Sequence, residues 1–155
     1  MNLKEKIASD MKVAMKNRDE LKLSVLRMLQ SAVHNKEIEK KGKTGGGSGE
    51  LSEEEIILVF RSEIKKRRDA AAGFAQGGRK ESAEKETHEA EILQSYLPQE
   101  LSDAELEKIA QEVVSGMGEV SIKDFGRVMG EVMKRVKGQA SGDRVSRAVK
   151  IILEK

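Results

Sequence analysis

The side chains best placed for chemistry in this chain are cationic. Lys123, Arg127 and Lys134 recur at spacings of four and seven residues. At about 100° per helical residue they share an arc of about 40°, with Lys137 at its margin. They stand opposite Phe125, Val132 and Val136, so the segment predicts an amphipathic helix with a basic outer face. A face of that kind tracks phosphates. Gly126 and Gly130, four residues apart on one edge of the same helix, leave backbone bare where a phosphate or another helix comes close. Gly138 is suited to end that helix in left-handed geometry and Ser141 to cap the next, whose exposed N–H groups offer an anion site. Asp143 already supplies negative charge to that turn, while Arg144, Arg147 and Lys150 carry the positive face onward. The competing account of the same residues is a solvated helix face joined to a tight helix crossing. The sequence leaves both open.

Other chemistries find less support. There is no cysteine, hence no disulfide, thiolate nucleophile or thiolate metal site. His34 and His88 lie on separate predicted helices with no serine or paired carboxylate at motif spacing, and read as surface or hydrogen-bonded histidines. No glycine-rich phosphate loop and no nucleophile elbow occurs. We expect no catalytic centre, no metal and no cofactor. The run from Arg61 to Asp69 looks nucleic-acid-binding, but its residues point in different directions. Arg61, Lys65 and Arg68 share a predicted outer stripe, whereas Arg67 falls inside the apolar stripe one turn after Glu63, where an ion pair and a stem covering the core are expected.

The elements that must position these residues are helices. The chain has 155 residues with 37% hydrophobic, 36% charged and only 3% aromatic content, so its core must be built from Leu, Ile, Val, Met and Ala. Three helix starts share one grammar, a capping serine with an acidic residue three later: Ser52 with Glu55, Ser102 with Glu105, and Ser121 with Asp124. No window alternates apolar and polar residues long enough to be a strand. The spacing predicts helices over about 2–16, from 19 to before Gly42, and over 52–75, 80–97, 102–116, 121–137 and 141–153. Residues 42–49, five of them glycine, read as a flexible linker. Gly77-Gly78 joins two long helices into an antiparallel hairpin, and Pro98, the only proline, ends that part of the chain. The expected organisation is all-α: an N-terminal helical domain over 1–97 and a small three-helix tail over 98–155.

Charge is distributed unevenly. Residues 98–122 hold one basic and six acidic residues, and residues 123–150 hold eight basic and three acidic ones. The basic part is where a polyanion is sought. No apolar stretch approaches the ~20 residues needed to cross a bilayer, so no membrane association is expected. Met1 to Lys6 has no apolar signal core, and the default expectation is a cytoplasmic protein.

Several segments taken in order carry a family resemblance. They are Asp10-Met11-Lys12 with Ala14-Met15-Lys16, Leu23 to Leu29, Lys66-Arg67-Arg68-Asp69, Glu91 to Pro98 with its Tyr96-Leu97-Pro98, Phe125 to Gly130, and Lys137-Gly138-Gln139-Ala140. Together they resemble the YqeY proteins of the GatB/YqeY family over nearly the whole chain. The resemblance implies a tail domain similar to that of the tRNA-dependent amidotransferase B subunit, a tRNA-contacting module also appended to some glutaminyl-tRNA synthetases. The matched tail positions are Gly126, Met129, Gly130, Lys137, Gly138 and Ala140.

The functional expectation is a non-catalytic tRNA-binding accessory protein that contacts backbone and shape through Lys123, Gly126, Arg127, Gly130, Lys134, Lys137, Gly138, Arg144 and Arg147. The alternative is a helical adaptor for a glutaminyl-tRNA synthetase or amidotransferase subunit. A remote alternative is a carbon–nitrogen ligase using glutamine as amide donor, an activity inherited from the amidotransferase.

Overall fold

The computed structural model describes all residues, Met1–Lys155. It contains seven α-helices, one short 3-10 turn and no strand. The helices are α1 (Leu3–Lys16), α2 (Glu20–Lys43), α3 (Glu53–Gln76), α4 (Lys80–Gln94), α5 (Asp103–Met117), α6 (Phe125–Val136) and α7 (Gly142–Leu153). The chain divides into two compact units, Met1–Leu97 and Pro98–Lys155.

Local capping explains most of the helix starts. Ser52 and Ser102 each accept a hydrogen bond from the N–H three residues on, while Glu55 and Glu105 accept from the serine N–H. The same reciprocal box forms between Asn2 and Glu5 at α1, and Asp19 caps α2. Each such cap stabilises its helix by about 1 kcal/mol.

In the Met1–Leu97 unit, α3 is the central element. It packs along α4 and also meets α2, which packs against α1 and α4. Because α3 has neighbours on two sides, it buries Ile57 and Val59 as well as Ile56, Phe60 and Ile64. On α2, Val25, Leu26, Leu29 and Val33 are buried, whereas Met28 is 54% exposed. Tyr96, just past the end of α4, packs its ring against Phe60 at a centroid separation of 5.7 Å, and its hydroxyl donates to Asp10 on α1. Burial and the Asp10 carboxylate together push the Tyr96 phenol up.

Three sequence expectations change here. First, α2 continues through Gly42 to Lys43, and the stretch outside helix runs from 44 to 52. This segment turns back against α2: Lys40 Nζ donates to the Glu50 carbonyl at 3.0 Å and to Glu55 at 2.8 Å. A Cβ on Gly49 would stand 2.6 Å from the Glu37 carbonyl oxygen, so this glycine permits a close backbone approach. Second, α4 ends at Gln94, and Leu97 lies beyond it. Third, Arg61 is buried and does not belong to the outer stripe with Lys65 and Arg68. A wheel drawn for one buried face cannot account for a helix packed on two sides.

Arg67 lies where the sequence puts it, inside the packing, and is only 5% exposed. Its Nη1 donates to Glu63 Oε2 at 2.9 Å and to the Glu63 carbonyl at 3.1 Å. Its Nε stands 3.5 Å from Glu89 of α4.

The Pro98–Lys155 unit is a three-helix bundle in which α5, α6 and α7 each pack on the other two. Its core is aliphatic: Leu106, Ala110 and Val113 from α5, Val128, Val132 and Val136 from α6, and Val145, Ala148, Val149 and Ile152 from α7. Val128, Val132 and Val136 recur every four residues and are fully buried, which fixes the rotation of α6 and the face it presents to solvent.

Candidate nucleic-acid interface

With that stripe inward, the exposed side of α6 is Gly126, Arg127, Gly130, Glu131, Lys134 and Arg135. At 100° per residue the two glycines occupy one edge of this arc, Arg127 and Lys134 its middle, and Glu131 and Arg135 the far edge. A Cβ on Gly126 or Gly130 would meet nothing within 4 Å. No helix of the unit crosses at these glycines. The tight crossing that offered one explanation for them is absent from the unit, and the backbone there is open.

Arg127 is 60% exposed and stands 3.5 Å from Asp124, three residues earlier. Lys134 is 75% exposed and pairs with Glu131 at 3.1 Å. Arg135 reaches Glu112 on α5 at 3.5 Å, again with both partners exposed. Exposed pairs of this kind contribute about 0–1 kcal/mol, so a phosphate can replace the carboxylate at little expense. Arg135 is the cation that the sequence reading passed over. Its position on the wheel, about 80° beyond the 40° arc and beside Val128, gives no signal of its own, and the exposure of the side chain is settled by the packing of α6.

The structure moves three expected site residues. Lys123 is not part of α6: Ser121 caps a 3-10 turn over Ile122–Asp124, and α6 begins only at Phe125. The helical wheel therefore does not apply to Lys123, which is exposed in the turn leading into the helix. Lys137, with φ 51°, is itself the left-handed cap of α6. Gly138, assigned that role from the sequence, follows with φ 77° and is buried. Two consecutive left-handed residues turn the chain sharply, leaving the Lys137 side chain exposed beyond the last turn of α6.

Arg144 is the third. It donates from Nη1 to Glu100 at 3.1 Å and from Nη2 to the Leu101 carbonyl at 2.7 Å and to Asp103 at 2.9 Å. The side chain clasps the segment before α5 onto α7 and is 24% exposed. Three acceptors hold its donors, so we remove Arg144 from the phosphate-facing set. Arg147, one turn on, remains exposed. At the start of α7, Ser141 Oγ accepts from the Arg144 N–H at 3.4 Å, Asp143 occupies the first turn, and a Cβ on Gly142 would meet open space.

The arrangement is thus a positively charged, convex helix face with bare backbone beside its cations. It can hold an extended polyanion by its phosphates.

Comparison with known proteins places the chain. The family profile described as Yqey-like protein matches residues 4–153. Among curated relatives, the altered inheritance of mitochondria protein 41 of Vanderwaltozyma polyspora is 29% identical over 130 residues, covering 79% of this chain and 66% of that protein. The protein of the same name from Kluyveromyces lactis is 30% identical, covering 79% and 66% respectively. That of Saccharomyces cerevisiae strain YJM789 is 31% identical over 132 residues, covering 81% and 68%. The chain spans about two thirds of the length of the curated relatives it matches. These relatives are named as mitochondrial proteins, which overturns the expectation of a cytoplasmic one. An N-terminal hexapeptide without an apolar core speaks only against a secretory signal within it and does not choose among other compartments. With its profile matched from Lys4 to Leu153, the chain belongs to the YqeY-like protein family.

Proposed function

We propose that the Pro98–Lys155 unit is a non-catalytic RNA-docking module that holds a folded tRNA by its sugar–phosphate backbone, along α6 and the turn after it. The observation that carries this reading is the pair Gly126 and Gly130. Glycine in a helix interior, as at Gly130, is less favourable than alanine by about 1 kcal/mol, and no neighbour within the unit requires the missing side chain at either position. A partner that approaches the helix backbone closely explains both. Arg127 and Lys134 lie beside the glycines, and Lys123, Lys137 and Arg147 extend the cationic surface. The YqeY resemblance of Phe125–Gly130 and Lys137–Ala140, which implies a tail like that of the tRNA-dependent amidotransferase B subunit, supports tRNA as the polyanion.

Contacts of this kind go to backbone and shape, so several tRNAs bind with similar, modest affinity. The test compares Arg127→Ala plus Lys134→Ala with Lys12→Ala plus Lys16→Ala, two exposed cations of α1. Both pairs remove two positive charges. The first pair reduces the slope of log affinity against log salt by about two and the second leaves it nearly unchanged. Equal losses from the two pairs, or no salt-dependent tRNA binding by the intact chain, would overturn the assignment.

A further inference from the structure

A groove of about 790 Å³ opens between α2 and α3 in the Met1–Leu97 unit. Its α2 wall runs from Met28 to Lys43 and its α3 wall from Glu55 to Lys66, with Leu51 just before the helix. At 1.5 Å per residue the α2 wall is about 22 Å long, the length of a helix of about four turns. The floor is apolar. Met28 and Leu58 are 54% and 37% exposed, and Val59 and Ala32 line the same surface. Large apolar side chains gathered in one concave strip differ from the isolated exposed ones common on any surface.

The rim is charged, and its acids are already engaged. Glu39 is held by Lys36 at 2.9 Å and by Lys43 at 3.0 Å, Glu55 by Lys40 at 2.8 Å, and Glu63 by Arg67 at 2.9 Å and Lys66 at 3.1 Å. Four lysines thus line the groove against three glutamates, and Arg67, beneath the rim, also stands 3.5 Å from Glu89. At the Met28 end, Arg67 has donors that are poorly met: Nη2 reaches only the Met28 thioether at 3.7 Å, and the buried Nε makes no hydrogen bond. A thioether is a weak acceptor on a flexible side chain, and a carboxylate is a strong one.

We propose that this groove docks an amphipathic α-helix of a partner protein. The helix lays its apolar stripe on Met28, Leu58 and Val59, and its acidic side chains face the exposed rim lysines, Lys36, Lys43 and Lys66. One carboxylate reaches Arg67 once Met28 swings aside. The apolar floor is the wrong chemistry for a nucleic-acid backbone, and a second copy presenting the same rim would bring like charge against like. This interaction is independent of the RNA reading of the Pro98–Lys155 unit.

The experiment uses the full chain with labelled methionine and leucine methyl groups and three synthetic helical peptides of about 18 residues. One carries a leucine stripe flanked by glutamates, one the same stripe flanked by lysines, and one the glutamates with a serine–glutamine stripe. Only the first is expected to shift the Met28 and Leu58 methyl resonances in a saturable manner. The surface variants Leu58→Glu and Lys66→Glu each weaken it about tenfold, with thermal melts confirming that both remain folded. Arg67 is left intact because its removal threatens the fold. Equal binding of the lysine-flanked peptide, no saturable shift at these methyls, or shifts indifferent to both variants would overturn the proposal. So would displacement of these same methyl resonances by tRNA, or a concentration-dependent dimer abolished by Leu58→Glu, which would give the groove to RNA or to a second copy.

Discussion

Across the α3–α4 hairpin, Arg67 Nε stands 3.5 Å from Glu89 Oε2 without a hydrogen bond between them. One turn back on its own helix, the same guanidinium bonds Glu63 at 2.9 Å. The two carboxylates therefore titrate in opposite directions. At Glu63, burial pushes the carboxyl up, but hydrogen bonds from Arg67 and Lys66 outweigh it and hold the group below the usual range. At Glu89, burial and the neighbouring Glu86 prevail over Arg67 and raise it.

Stability should respond accordingly to pH. The contribution of Glu63 is present above the ordinary carboxylate pKa and is lost as pH falls through its lowered value. Ionised Glu89 disfavours folding, so its effect is relieved as pH falls through its raised value toward the ordinary one. At neutral pH, Glu63→Gln lowers stability by about 1–3 kcal/mol, while Glu89→Gln leaves it unchanged or raises it. Urea melts from about pH 3 to pH 7 read both effects. Equal losses from the two variants would show that the hydrogen-bond asymmetry has no energetic weight.

Arg67→Ala leaves buried Glu89 without its cation and Glu63 with Lys66 alone, and should reduce stability by about 2–4 kcal/mol. Lys65→Ala, at an exposed position of the same helix, should change it by less than about 0.5 kcal/mol. A denaturant melt in which both variants match the wild type places Arg67 on the surface instead.

Tyr96→Phe keeps the ring on Phe60 and removes the donor to Asp10. The expected loss is about 1.5–3 kcal/mol, because the acceptor is a carboxylate. Asp10→Asn alone should cost less than Tyr96→Phe, since an amide oxygen still accepts from the Tyr96 hydroxyl. If Tyr96→Phe melts like the wild type, the contact between α1 and the end of the Met1–Leu97 unit does not stabilise the fold.

Glycine variants separate two uses of one residue type. Gly130→Ala, in open space inside α6, should stabilise the Pro98–Lys155 unit by about 0.5–1 kcal/mol while weakening tRNA binding. Gly49→Ala places a Cβ 2.6 Å from the Glu37 carbonyl and should destabilise by about 1–3 kcal/mol. A Gly130→Ala protein that is more stable and binds tRNA unchanged removes the main support for backbone docking at α6.

Arg144→Ala should lower the melting temperature of the tail, since it removes a donor from Glu100, Asp103 and the Leu101 carbonyl. Arg147→Ala should leave the melt alone and reduce the salt slope of tRNA binding by about one. The reverse pattern would return Arg144 to the interface.

The sequence by itself determined the local grammar of this protein. Serine and carboxylate three residues apart start helices because both groups satisfy backbone N–H donors within a single turn. The Val128, Val132 and Val136 repeat set the inward face of α6, and with it the outward position of Arg127 and Lys134, because α6 presents a single buried stripe. The burial of Arg67 was legible from its place inside the apolar stripe of α3, one turn after Glu63. What only the tertiary structure decided is everything that depends on a second neighbour. Arg61 is buried because α3 has partners on two sides. Arg144 is engaged because Glu100 and Asp103, more than forty residues earlier, come to its helix. Lys123 leaves the wheel because a 3-10 turn precedes α6. Gly126 and Gly130 were visible as a spacing, but whether a helix fills the space above them is a question of distance between chain segments, and periodicity carries no information about that.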